Sequence, residues 1–107
     1  YKAIEFCGPA LDGVSLSSRF TMANMVIEAG AKCCFFDPNQ GTLDYLNERA
    51  RRPYKVYTAD EDAQYCQVVE LDVSDLEPQV AVPSLPENAK PVSQVEKDHI
   101  RLDQVFF

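Results

Sequence analysis

The sequence predicts an α/β fold, with a mixed or mostly parallel sheet flanked by helices. Three observations carry that prediction. The first half reads strand, helix, strand, helix, the alternation that builds an α/β layer. The run AKCCFF at residues 31–36 is almost continuously apolar and follows a helix, which fits a buried strand parallel to the first. The second half changes character, with three prolines between Val80 and Val92 and little periodicity. At 107 residues the chain is long enough for one domain with one modest core. We therefore read residues 1–107 as a single α/β domain, with 80–107 as a connector leading to a next domain.

Residues 2–7, KAIEFC, alternate enough for a short strand, and Gly8-Pro9 breaks it. Ser15 is a good N-cap for the helix that follows, which is expected to run to about Ala29, with Gly30 in the left-handed position that ends it. Asp37 is expected to cap the second helix, with Pro38 at its first position and Gln40 reaching back. Leu43, Leu46 and Ala50 give that helix an apolar stripe, and Pro53 ends it. Arg49, Arg51 and Arg52 form the one basic cluster and are read as complementing the helix's carboxyl end. Residues 54–57 read as a short extended piece and residues 65–73, YCQVVELDV, as a strand. Residues 80–92 read as an extended connector, and residues 100–107 as the start of a further strand.

The most informative stretch is residues 17–30, SSRFTMANMVIEAG. On a helix turning by about 100° per residue, Ser17, Thr21, Asn24 and Glu28 share one narrow strip. Apolar side chains take most of the remaining circumference, the pattern of a buried helix. A carboxamide and a carboxylate one turn apart on such a helix need a partner or a polar cavity, because unpaired burial is costly. One answer is neighbouring backbone. The other is a site wall, in which Glu28 handles a proton and Asn24 donates hydrogen bonds to a ligand or cofactor.

Composition narrows the alternatives. A formal net charge of −7 argues against nucleic acid or an anionic membrane as partner. No apolar run approaches the ~20 residues that cross a bilayer. Cys7, Cys33, Cys34 and Cys66 lack zinc-ligand spacing, and His99 is far from them in sequence. They read as reduced, small apolar side chains, fitting a cytoplasmic-type compartment. The chain begins at Tyr1 and ends on Val105-Phe106-Phe107, and it reads as an internal fragment of a longer polypeptide.

The stretch FTMANMVIEAGAK resembles the N-M-x-x-E-x-G-A segment of the aconitase superfamily, in particular its branch of isopropylmalate dehydratase and homoaconitase large subunits. AIEFCGP before it, a tyrosine at position 45 and YCQVVELDVSDLEP after it are also similar, so the likeness runs through nearly the whole chain in order. The resemblance implies a hydro-lyase built around a [4Fe–4S] cluster, one iron of which is free of cysteine and acts as a Lewis acid. It implies a small carboxylate substrate, 3-isopropylmalate first and homoaconitate second, and hence a cytoplasmic enzyme of leucine or related amino-acid biosynthesis. It also implies that Asn24 lies beside the cluster as a cofactor-binding residue and that Glu28 is catalytic. The implied partners are other domains of the parent chain and a small swivel-domain subunit.

The departures are specific. The family's cluster cysteines lie in G-S-C-T-N and C-G-x-C segments, and neither occurs in this sequence. No metal ligand is therefore assigned to Cys7, Cys33, Cys34 or Cys66, and the fragment by itself is expected to bind no cluster and to be inactive. Ala23 stands where some relatives carry a cysteine, and Cys66 where an aspartate is common. The alternative reading is a non-catalytic ligand-binding or assembly domain that keeps the fold. An RNA-binding relative is disfavoured by the acidic charge.

Overall fold

The computed structural model describes residues 1–106. Backbone packing divides the chain into two units, Tyr1–Glu70 and a second from Leu71 onward. In the first unit, β1 (Lys2–Phe6) and β2 (Ala31–Phe36) pair in parallel, as the sequence predicts, with Ile4 opposite Cys34 and Phe6 opposite Phe36. A parallel pair needs a crossover. It is supplied by a 3₁₀ turn over Pro9–Gly13 and by α1 (Leu16–Met25). α2 (Gln40–Arg49) follows β2.

α1 begins where its sequence says it should. Ser15 is extended and its hydroxyl accepts the Ser18 N–H at 3.1 Å, satisfying one of the free donors of the first turn. The regular helix ends four residues earlier than the expected Ala29. From Met25 the chain tightens into three-residue hydrogen bonds: the N–H groups of Glu28, Ala29 and Gly30 donate to the carbonyls of Met25, Val26 and Ile27. The Ala31 N–H then reaches back to Val26 O at 3.0 Å. With Gly30 at φ 77°, this is a Schellman ending, and the predicted left-handed glycine is in place.

The expectation of a buried helix is corrected. Around α1 and its closing turn only Arg19, Val26 and Ala31 are buried, while Phe20, Met25 and Ile27 are between 52% and 69% exposed. Two strands present too narrow a face to cover a helix that is apolar on several sides. β2 is likewise not covered on both faces: Ala31 is buried, Cys34 and Phe36 are half-buried, and Lys32, Cys33 and Phe35 are exposed. On its one packed face, Phe6 stacks on Phe36 with ring centroids 4.9 Å apart.

α2 starts two residues later than predicted. Asn39, not Asp37, is the cap, its side-chain oxygen accepting both the N–H and the hydroxyl of Thr42 at 3.0 Å. Pro38 disfavours a helical Asp37, so the chain stays extended through that residue. Gln40 bonds forward to Asp44 rather than back to a cap. At the other end Arg49 does complement the helix, donating to Tyr45 O at 3.3 Å and lying 4.0 Å from the Tyr45 ring centroid. Tyr45 in turn meets Phe20 edge-on at 6.2 Å, joining α2 to α1.

Three predicted strands or extended segments differ. Residues 65–73 form no strand, because no described neighbour offers them a ladder for their backbone groups. Tyr65 instead donates its hydroxyl to Glu5 Oε2 at 2.7 Å. That bond, ahead of partial burial, pushes the Tyr65 phenol up to about 12. The bonded neutral form is favoured, so the tie is complete below the ordinary tyrosine pKa of about 10 and is lost as pH rises through about 12. Within the second unit, Asp72 accepts the N–H and hydroxyl of Ser74, which turns the chain there and holds its carboxyl below the usual range. The expected connector at 80–92 is a hairpin of β3 (Gln79–Ala81) and β4 (Ala89–Pro91), paired antiparallel and followed by a single helical turn, α3 (Val92–Val95). Its prolines lie in the turn or at the strand end, where no ladder donor is lost. Residues 100–106 form no strand, and Phe107 lies outside the described residues.

Candidate functional site

The predicted polar strip on α1 divides into two halves. Its amino half is satisfied locally: the Ser17 hydroxyl lies 3.1 Å from that of Ser15, and Thr21 donates to Ser17 O at 3.2 Å. Its carboxyl half is presented freely. Asn24 occupies the last turn of α1 and Glu28 the closing turn, and both are exposed. Neither side chain makes a hydrogen bond or ion pair with the other described residues. Asn24 can donate two bonds and accept two, and Glu28 can accept four, so both remain available to a ligand.

The connectivity fixes where this pair lies. α1 feeds directly into β2 through residues 26–30, so Glu28 stands at the amino ends of the parallel strands. A cleft of about 280 Å³ lies at the same end, lined by Tyr1, Ile27, Gly30, Ala31 and Lys32. Open α/β sheets more often hold ligands at the carboxyl ends of their strands. A second cleft of about 260 Å³ lies there, its lining including Phe6, Cys7, Gly8, Arg19 and Asp37.

Arg19 is the residue the sequence reading missed. It is 5% exposed, the one buried charged residue among those described. Its Nε donates to Val14 O at 3.2 Å, Nη1 to Asp37 O at 2.9 Å and Nη2 to Leu11 O at 2.8 Å. The guanidinium carbon sits 5.6 Å from the Phe36 ring centroid, within range of a cation–π contact. The available signal was an arginine between Ser18 and Phe20 in a stretch read as a buried helix, since a buried cation demands acceptors.

The described residues do not provide a metal or cluster site of their own. No three His, Cys, Asp or Glu side chains converge among them. All four cysteines are free, and Cys33 and Cys34, as strand neighbours, point to opposite faces. Burial, with Cys33 adjacent, pushes the Cys34 thiol up and away from the thiolate a metal would need. A [4Fe–4S] cluster does not fit this donor set. Nor is any helix of the described residues long and apolar enough to cross a membrane.

A parallel βαβ unit, with an exposed amide in the last turn of its crossover helix and an exposed carboxylate in the closing turn, defines a piece of an α/β protein. Comparison with known proteins makes this specific. The model of the aconitase family (aconitate hydratase) matches residues 1–105, and the chain belongs to that family. It is similar to 3-isopropylmalate dehydratase large subunit 1 of Pyrococcus abyssi, with 52% identity over 106 residues, covering 99% of this chain and 25% of that protein. The corresponding subunit 1 of Pyrococcus furiosus is 50% identical over 105 residues, 98% of this chain and 25% of its own length. The 3-isopropylmalate dehydratase large subunit of Desulfitobacterium hafniense is 54% identical over 105 residues, again 98% of this chain and 24% of its own. The chain thus spans about a quarter of the length of these curated relatives.

Proposed function

We propose that this chain is part of the large subunit of an aconitase-type hydro-lyase that isomerises 3-isopropylmalate, with homoaconitate as the next candidate. The observation that carries the proposal is identity of about half the residues, over nearly the whole chain, to proteins named as 3-isopropylmalate dehydratase large subunits. The reaction takes a proton from one carbon and a hydroxyl from its neighbour, releasing water and leaving an alkene. Water then returns with the two positions exchanged.

In this reading Glu28 is the proton-handling carboxylate at the substrate hydroxyl, and Asn24 is the amide that hydrogen-bonds the cofactor side of the same wall. Their exposure and free bonding capacity support the assignment. A [4Fe–4S] cluster would be held by cysteines from other segments of the full-length protein, since the cysteines here make no such set. The site is completed by the protein's other domains and by a small swivel-domain subunit, and the enzyme works in the cytoplasm. Residues 1–107 belong to one domain of that subunit and lead toward the next.

The test is Glu28→Gln in the full-length large subunit, assayed with its small subunit. Turnover is expected to fall by ~10²-fold or more, because general acid–base groups contribute on that scale. The circular dichroism spectrum should be unchanged, as the side chain is exposed and unbonded. Unchanged turnover would remove Glu28 from the mechanism.

A further inference from the structure

We propose that Arg19 is a positioning residue that sets the azimuth of α1 and so aims Asn24 and Glu28, an inference that rests on the role of Glu28 proposed above. Arg19 touches no part of the pair. Its three bonded N–H groups reach carbonyls of three separate stretches: Leu11 in the 3₁₀ turn, Val14 before α1, and Asp37 beyond β2. One planar group therefore ties the start of α1 to the chain on both sides of it. Phe36 closes one face of the guanidinium, and Phe6 backs Phe36.

The remaining seat of the helix is small. Beyond Arg19 only Val26 and Ala31 are buried, each 6% exposed. Two aliphatic side chains resist separation from the sheet but do little to prevent rotation. A directional fork with three fixed acceptors does prevent it, and a lysine cannot reproduce that geometry. A rotation of ~20° at a side-chain radius of ~6 Å moves a functional group by ~2 Å. Displacements of that size cost catalysis ~10²-fold. Carbonyl ligation, rather than an ion pair, suits this role, because it fixes orientation without placing a second charge near a working carboxylate.

Arg19→Lys and Phe36→Leu, each alone and each combined with Glu28→Gln, test this in the full-length large subunit with its small subunit. Arg19→Lys should lower kcat ~10-fold or more, with a smaller change in KM. In the Glu28→Gln background the same substitution should cost less than ~2-fold, since groups that act as a unit are non-additive. Phe36→Leu should show a weaker version of the same pattern and keeps the test alive if Arg19→Lys fails to fold. Amide exchange should also rise across residues 24–31, far from the substituted side chain. Equal losses in both backgrounds, or faster exchange confined to residues 14–20, would overturn the positioning role while leaving Glu28 in place. Full turnover in Glu28→Gln alone would instead overturn the reading beneath it.

Discussion

At its amino end α1 is fastened by side chains: Ser15 caps it, and Arg19 bridges three carbonyls from a buried position. At its carboxyl end the hydrogen bonds are backbone alone, through the Gly30 turn and the Ala31 to Val26 bond, with Val26 and Ala31 buried, and the side chains of Asn24 and Glu28 are exposed. The two ends divide the work. Side chains used for structure cannot also serve a ligand, so the end that keeps its polar groups free must obtain its order from main chain and from the distant clamp. This arrangement is consistent with the site wall proposed above and differs from a core helix, whose polar groups would be consumed internally.

Substitution can break that contrast at either end. The largest effect is expected from Arg19→Met, which removes three part-buried hydrogen bonds, although Leu11 O keeps the Val14 N–H as donor. At about 1 kcal/mol net for each bond lost, local stability across α1 should fall by about 3 kcal/mol, read by amide hydrogen exchange. A loss below about 1 kcal/mol would mean that the clamp is dispensable and the ends are alike. Gly30→Ala comes next. No atom lies within 4 Å of where its Cβ would be, so the whole penalty is backbone strain at φ 77°. That strain is about 1–2 kcal/mol and should show as faster exchange at residues 28–31. The smallest effect is expected from Asn24→Ala, within about 0.5 kcal/mol of the unaltered chain. A cost there equal to that of Gly30→Ala would show that the amide holds structure and is not free for a ligand.

Most of the first unit is legible in the residues, because its signals are local. Ser15, Gly30 and the apolar run 31–36 each fix a few backbone angles by themselves, and they place a cap, a helix ending and a parallel strand correctly. The spacing of Asn24 and Glu28 is a local signal too, but the pair does not share one regular helix, because α1 ends at Met25 and Glu28 lies in its closing turn. What the residues conceal depends on partners distant in sequence. Arg19 gains its meaning from Asp37 eighteen positions away, and Tyr65 from Glu5 sixty away. The burial of α1 and β2 was overestimated because apolar composition states what a segment would cover, not what is there to cover it. The hairpin at β3 and β4 was hidden by its prolines, which read as breakers whether they sit in a connector or in a turn.

The paired thiols of β2 carry a last consequence. Cys33 and Cys34 are adjacent in sequence yet face opposite sides of the sheet, one exposed and the other half-buried with its thiol pushed up. Each is thus a chemical marker for one surface. Alkylation of Cys33 reports access to one side of the sheet, and the slower alkylation of Cys34 reports the side that α1 covers. Any neighbour that settles on this layer would silence one of the two thiols and leave the other reactive, revealing by simple chemistry which side had been occupied.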